Sequence, residues 1–289
     1  MMKTNIEKYF LPLKNHKRIA DISTETKVDV EILKKRIETY VSEAIFCYKI
    51  IEPNLKKDIR ILECGGGWML LQSYLKSIGY NTVALEPLGK GFDFFGTAKS
   101  QLLGCLDNQD VNIFEIGIEE LDCKIHGKFD LIFSINVLEH IDNLELAFSK
   151  MSSILSKNGM MIHHCPNYFI PYEPHFGIPL VPFLPESTKY LFKNKINANQ
   201  PLWESLNFIT YRKLEKLANK NSLSIEYQKG ILYESFKRLD DKNSEFSKRH
   251  NNKFIKLLYW LLKYSGILTI LKYLPGRYLT PMTFTLKKN

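Results

Sequence analysis

Apolar residues at Leu33, Ile37, Val41, Ala44, Tyr48 and Ile51 recur every three or four positions. That period predicts a helix over residues 26–52, which Pro53 stops. From Asp58 the period changes. Ile59-Arg60-Ile61-Leu62 reads as a strand ending at Glu63, and Cys64-Gly65-Gly66-Gly67 as a tight turn. Leu70, Leu71, Tyr74, Leu75 and Ile78 form a helix stripe that closes at Gly79, a natural C′ residue. Thr82-Val83-Ala84-Leu85 is the next strand, ending at Glu86-Pro87. The result is a βαβ unit, whose crossover makes the two strands parallel.

The alternation continues. Val111–Ile116 reads as a strand, and Phe129-Asp130-Leu131-Ile132-Phe133-Ser134-Ile135 is apolar enough for a buried parallel strand. Leu144, Phe148, Met151 and Leu155 mark a helix that Lys157-Asn158-Gly159 ends, and Met160–Cys165 is a fifth strand. Strands alternating with helices imply a doubly wound α/β sheet. Six of the twelve prolines then fall between Pro166 and Pro185, a stretch expected to hold no regular element. It follows a central strand, so it is expected to cross the carboxyl edge of the sheet, where ligands bind. A helix near Thr210–Ala218 and strands at Leu223–Tyr227 and Met282–Leu286 complete the pattern.

Composition narrows the class. The chain has 289 residues, 45% of them hydrophobic and 25% charged, which excludes a disordered or low-complexity main state. Five cysteines without a Cys-x-x-Cys pair argue against a disulfide framework or a zinc ribbon, and for a reducing, cytoplasmic setting. The N-terminus shows no secretory h-region, and no run of about 18 uncharged apolar residues predicts a spanning helix. The net charge of +9 is unevenly placed: residues 210–289 hold 17 Lys and Arg against 6 Asp and Glu. Such a segment is either a solvated face or a surface for an anionic partner.

Chemistry concentrates at Glu63-Cys64-Gly65-Gly66-Gly67. Glycines let backbone approach a ligand closely, but an acidic residue just before the turn repels a pyrophosphate. A ligand with a sulfonium, an ammonium and no phosphate fits, and that ligand is S-adenosylmethionine. Glu86, at the end of the next strand, suits a ribose diol without choosing between nucleoside cofactors.

In this order, Ile61–Gly67, Val83–Pro87, Gly117-Ile118-Glu119-Glu120-Leu121 and Phe129–Ile141 resemble the class I S-adenosylmethionine-dependent methyltransferases. The resemblance covers about residues 58–167 together with 223–227 and 282–286. It implies a doubly wound, seven-stranded, mostly parallel Rossmann-like sheet, with an N-terminal helical layer (1–55) and a cofactor core (56–165, continued at 210–230 and 281–289). Two insertions are expected, a proline-rich substrate loop (166–209) and a basic amphipathic helical segment (231–280). It further implies that Glu63, Cys64, Gly65, Gly66 and Gly67 hold the methionine end of the cofactor. Glu86, with Pro87, takes the ribose hydroxyls, Ile118 and Glu119 border the adenine, and Asn136 and Val137 lie near the transferring methyl. Two positions depart from the pattern: Met69 replaces a frequent third glycine, and Ile118 stands where many relatives carry an aspartate.

His140 and His175 are the candidate catalytic bases, each weighed against a plain role as a helix cap or a loop staple. Glu139-His140 resembles the end of the Glu-x-x-Glu-His element of the quinone-biosynthesis O-methyltransferases. Asn136 replaces its first glutamate, so no metal is expected. His163 and His164 point to opposite faces of one strand and are expected to pack. Tyr168, Tyr172, Glu173 and Phe176 are the candidate acceptor contacts, the aromatics either stacking on a sugar or anchoring their loop. Residues 254–274 read as an interfacial helix on a membrane surface or as an insertion packed on the sheet or on a second subunit; Lys263 disfavours a spanning helix.

The expected function is O-methylation of a small-molecule, glycan or lipid-linked acceptor. The alternatives are a quinone or lipid methyltransferase, and a non-catalytic cofactor-binding protein. The stretch Asn136-Val137-Leu138-Glu139 and the lack of an appended RNA-binding module argue against a nucleic-acid substrate.

Overall fold

The computed structural model describes residues 4–87, 93–106, 111–230, 233, 236–237 and 253–289. Three helices open the chain: α1 (Asn5–Tyr9), α2 (His16–Thr26) and α3 (Val30–Ile51). The long helix starts four residues later than its periodicity suggests. Asp29 caps it, accepting from the Glu31 and Ile32 amides, and Lys27 has left-handed backbone. Leu33, Ile37, Val41, Ala44 and Ile51 are buried as read, and Tyr48 meets the Tyr74 ring edge-on at 5.2 Å. The two shorter helices lie within the stretch expected as an N-terminal helical layer, but without a long apolar stripe neither was placed individually.

The central alternation follows. In order it runs β1 (Arg60–Cys64), α4 (Leu70–Ser77), β2 (Asn81–Leu85), α5 (Asp93–Cys105), β3 (Ile113–Phe114), α6 (Cys123–His126) and β4 (Phe129–Ile135). Then come α7 (Leu144–Ile154) and β5 (Leu155–Cys165). β1 and β2 are parallel, with Glu63 opposite Ala84 and Cys64 opposite Leu85. The helix between them ends as expected, with Gly79 in left-handed backbone just past its cap. Two elements differ from the reading. β3, at one edge of the sheet, pairs over two residues, not six: Ile113 and Phe114 stand opposite Ala84 and Leu85, and the Glu86 amide donates to the Phe114 carbonyl at 3.0 Å. β5 begins at Leu155, not Met160, anchored early by Ser156, whose hydroxyl donates to Asp130 Oδ1 at 2.6 Å.

The proline-rich stretch is more regular than its composition suggests. It forms a small hairpin, β6 (Tyr172–Glu173) against β7 (Ile178–Pro179). Three one-turn helices follow: α8 (Thr188–Leu191), α9 (Lys193–Asn197) and α10 (Gln200–Glu204). Proline is compatible with a two-residue edge strand, where no amide is needed for a ladder. The chain closes with α11 (Tyr211–Lys220), β8 (Leu223–Tyr227), α12 (Lys253–Tyr264), α13 (Ile267–Ile270) and β9 (Met282–Lys288). Of the expected helical insertion at 231–280, residues 231–232, 234–235 and 238–252 lie outside the described residues.

The main sheet has seven strands in the order β3-β2-β1-β4-β5-β9-β8. β9 runs antiparallel to both β5 and β8, placing His163 opposite Phe284 and Ile225 opposite Leu286. The remaining order and the βαβ crossover give the doubly wound, mostly parallel arrangement. By packing, the chain divides into two compact units, residues 1–133 with 153–159, and residues 134–152 with 160–289. In the first, Leu33, Ile61, Leu62, Leu75 and Phe129 are wholly buried. In the second, Leu138, Phe148, Phe284 and Leu286 are.

Candidate active site

In the first unit the loop after β1 is held tightly. Gly65 and Gly67 adopt left-handed backbone, at φ 75° and 52°. The Gly65 amide donates to the Leu85 carbonyl at 2.8 Å. A side chain on Gly66 would meet Met69 Sδ at 2.7 Å and Ala84 Cβ at 3.1 Å, and one on Gly67 would meet the Tyr40 ring at 3.1 Å. Met69 itself has left-handed backbone, at the residue that opens α4.

Two carboxyl groups face this loop. Glu63 is buried, and its Oε2 has no hydrogen-bond partner. Burial, and then the charge of Glu86, push its pKa up to about 8. Glu86 accepts from the Gly67 amide at 2.8 Å. Burial raises its pKa too, opposed by that amide and by Lys99. A buried carboxyl without a partner, beside a second carboxyl, is an electrostatic arrangement that a cation completes. Cys64 is buried and its thiol is pushed up by desolvation, then by Glu63, so it is no nucleophile. Pro87 is exposed, Ile118 is buried at the start of a short 3-10 turn, and Glu119 is half-buried.

The second unit gathers a polar cluster just past the end of β4. Asn136 has left-handed backbone at φ 53° and donates its amide to the His164 carbonyl at 2.8 Å. Val137 caps a 3-10 turn, Leu138–His140. Asn207 clamps that turn: its side chain donates to the Leu138 and Ile141 carbonyls at 2.7 and 2.9 Å, and its amide to the Glu139 carbonyl at 2.9 Å. Glu139 is wholly buried, and neither carboxyl oxygen has a hydrogen-bond partner. Burial raises its pKa to about 7, opposed first by the nearby amide of Glu139 itself, which is too poorly aligned for a full hydrogen bond, and then by His175, with Glu173 adding. His140 is pushed down to about 4 by burial and then by His175, against Glu173. Its Nδ1 lies 2.9 Å from Ser205 Oγ, and that hydroxyl spends its proton on the Leu202 carbonyl. The serine oxygen therefore accepts from Nδ1–H.

His175 Nδ1 lies 2.6 Å from Glu173 Oε1 in the hairpin loop. Burial raises the Glu173 pKa, but the His175 ring and the Phe176 amide, at 2.6 Å, outweigh it and hold the carboxyl low. Tyr168 OH also donates to this carboxylate, at 3.2 Å. The His140 and His175 rings meet edge-on with centroids 5.3 Å apart. Around them Phe176, Trp203, Phe208 and Tyr168 form a chain of edge-on ring contacts at 5.3–5.8 Å. A cavity of about 500 Å³ lies beside Asn207 and Phe208, walled by residues 183–190. A larger one, about 650 Å³ and lined by Arg18, Lys99 and Val111, touches no residue of the glycine loop.

A family model described as a methyltransferase domain matches residues 33–228. The chain belongs to the class I S-adenosylmethionine-dependent methyltransferases. An uncharacterized protein of Mycobacterium tuberculosis is 34% identical to this chain over 205 residues. The match covers 65% of this chain and 65% of that relative. A ubiquinone biosynthesis O-methyltransferase of Pelagibacter ubique is 24% identical, covering 69% of this chain and 76% of its own. Among solved structures, a Haemonchus contortus phosphoethanolamine N-methyltransferase bound to S-adenosylhomocysteine is similar at 18% identity and a TM-score of 0.46. That match covers 86% of this chain and 53% of the other.

Among the expected residues of this chain, Glu63, the glycines and Glu86 meet around one loop. His140, Glu173 and His175 meet in the other cluster, joined by Tyr168 and Phe176. Tyr172 is partly exposed on the hairpin. His163 and His164 are structural, each bonded at 2.7 Å to a hydroxyl, of Ser134 and Thr283 respectively. The sequence reading missed Tyr40, which stacks on Trp68 at 4.4 Å and walls the glycine loop. It also missed Ser205 and Asn207. Tyr40 lies three residues from Ile37, on the edge of the buried stripe of α3, and that was the available signal. Ser205 and Asn207 carry none.

Proposed function

We propose that this chain transfers a methyl group from S-adenosylmethionine to an oxygen of a small-molecule, glycan or lipid-linked acceptor, at the cytoplasmic surface of a membrane. The observation that carries the cofactor assignment is the buried Glu63 carboxyl with an unpartnered oxygen, just before Gly66 and Gly67, where a side chain would crowd Met69, Ala84 and Tyr40. Glu63 keeps its proton while the site is empty and ionises against an ammonium and a sulfonium, which complete the site; a phosphate offers that carboxylate no counter-charge. Glu63, Gly65 and Gly67 hold the methionine end. Glu86, oriented by the Gly67 amide, takes the ribose hydroxyls. Ile118 and Glu119 border the adenine, and Asn136 and Val137 lie near the methyl.

When bound, the cofactor supplies an activated methyl on sulfur. The protein's share is alignment, worth several kcal/mol, and handling of the acceptor's proton. We assign the proton to the cluster of Glu139, His140, Glu173 and His175, and the acceptor's body to the aromatic ring chain. The likeness to ubiquinone O-methyltransferases favours oxygen as the methylated atom and an apolar acceptor as the second reading.

Membrane contact is supported by α12. Leu257, Trp260, Leu261 and Tyr264 stand at i, i+3, i+4 and i+7, and all four are exposed. Residues 246–289 hold nine Lys and Arg and no Asp or Glu. An exposed apolar stripe within a purely cationic segment suits an anionic lipid surface. No described helix is long and apolar enough to cross a membrane.

The test is calorimetric titration with S-adenosylmethionine and S-adenosylhomocysteine, beside Glu86→Ala. Micromolar binding lost in the variant supports the reading. No binding to either ligand overturns it in favour of a non-catalytic protein.

A further inference from the structure

The polar cluster of the second unit has the makings of a metal centre, against the expectation from the sequence. One ligand atom each from Glu139, His140 and His175 lie within 4.8 Å of one another. Ligands sharing one first-row ion at about 2.0–2.2 Å stand roughly 3–3.6 Å apart, so small side-chain rotations close the set. Glu139 is the decisive member. Its side chain is wholly buried, and both oxygens lack hydrogen-bond partners. A buried carboxyl left so is costly unless something else occupies its lone pairs.

The histidines are prepared in the same sense. His140 gives its Nδ1 proton to Ser205, whose own proton goes to the Leu202 carbonyl. His175 has its Nδ1 against the Glu173 carboxylate, which only accepts. In each neutral ring the proton therefore sits on Nδ1 and the lone pair on Nε2; His175, held beside the Glu173 carboxylate, would give up its Nε2 proton when an ion binds. A carboxylate behind a ligating imidazole is the usual outer support of a metal-bound histidine. The turn that carries Glu139 and His140 is clamped by Asn207 at three points, so the donors sit on fixed backbone.

We propose that Glu139, His140 and His175 bind one divalent first-row transition-metal ion. Two imidazoles with one carboxylate suit zinc, iron, cobalt or manganese better than calcium or magnesium. The remaining coordination positions would take an acceptor hydroxyl and ease loss of its proton to solvent water, since the lone pairs of Glu139, His140 and His175 would be on the ion; this last clause rests on the methyltransferase reading. The ion would then lower the hydroxyl's pKa, with His175 a ligand and Glu173 its positioning partner.

The test uses the full chain, stripped with a chelator and titrated with Co²⁺ by visible absorption, then with Zn²⁺ in competition. His175→Ala and Glu139→Gln are titrated alongside, with S-adenosylhomocysteine affinity and thermal unfolding as checks of the fold. One equivalent of Co²⁺ with a d–d band, displaced by Zn²⁺ and weakened at least tenfold in both variants while S-adenosylhomocysteine affinity holds, is the expected result. Absence of a saturable Co²⁺ or Zn²⁺ site in the wild type overturns the proposal. So does affinity unchanged in the two variants, or a thiolate charge-transfer band that places the ion on cysteine. Cofactor binding is read separately, so a failed metal site leaves the methyltransferase reading standing, with His175 as the candidate base.

Discussion

Glu63 keeps a proton that an ordinary glutamate would have lost. Its carboxyl titrates near 8 when folded and near 4.5 when exposed, because burial and Glu86 disfavour the charge. Below the lower value both states are protonated, and the fold bears no penalty. As pH rises from 4.5 to 8 the unfolded chain ionises first, so stability falls through that window and levels off above it. A tenfold difference in proton affinity between the two states is worth about 1.4 kcal/mol. Glu63→Gln is expected to flatten this slope: cofactor-free melting from about pH 5 to pH 8 should fall more steeply for the wild type, and equal slopes would refute the assignment. The neighbouring glycine gives a second prediction. Gly66→Ala drives a methyl against Ala84 and Met69 and should cost roughly 1–3 kcal/mol of stability. Thermal unfolding reads that cost, and calorimetry should show S-adenosylhomocysteine binding at least tenfold weaker. Glu63 and the glycines were legible because each residue type is rare in its setting. Tyr40 and Asn207 were not, since an aromatic at helix spacing and an asparagine in a loop look like many others.

At the scale of elements, periodicity read correctly where a long apolar stripe or an unbroken apolar run is buried against a core. The helix over 30–51 and the strand over 129–135 appear nearly as read, since their apolar spacing has one stable solution. It read less well where prolines dominate. The 166–185 stretch is short of periodic residues, yet Glu173 inside it is wholly buried and bonded to His175, Tyr168 and Phe176. Backbone and side-chain polar contacts, which leave no hydrophobic trace, shape that hairpin. In α12 the period was plain, but which surface it faces was open. The stripe is exposed, with Trp260 at 54% and Tyr264 at 72%. Leu257→Glu combined with Trp260→Ser should leave the melting temperature within about a degree or two, because exposed positions rarely shift stability by more than about 0.5 kcal/mol. The same variant should abolish cosedimentation with phosphatidylglycerol vesicles, while the wild type binds them and ignores phosphatidylcholine. A wild type that dimerises through this stripe, with no vesicle binding, would move the surface to a second copy of the chain.

At the scale of the molecule, the last strand of the chain lies inside the sheet. β9 is inserted between β5 and β8, and Met282, Phe284 and Leu286 are wholly buried. Removing residues 282–289 should therefore abolish cooperative unfolding by circular dichroism, although the cut is short. A truncated protein that still melts cooperatively would contradict the order of the sheet. Charge is likewise a property of the whole. The positive excess of residues 210–289 would make the proposed binding to an anionic surface depend on ionic strength. That binding should weaken steeply between about 50 and 300 mM salt, as the screening length shrinks.

By itself the amino-acid sequence determined the βαβ alternation, the glycine loop with Glu63 and Glu86, and the basic C-terminal third. These are local patterns of period, backbone freedom and charge. Only the tertiary structure decided that Glu139, His140 and His175 meet, that Glu173 and Ser205 set the two imidazole tautomers, and that the apolar face of α12 stays exposed. The meeting of the Glu139–His140 turn with His175, and of His140 with Ser205, joins residues far apart in the chain, and neither spacing nor residue type encodes such contacts locally.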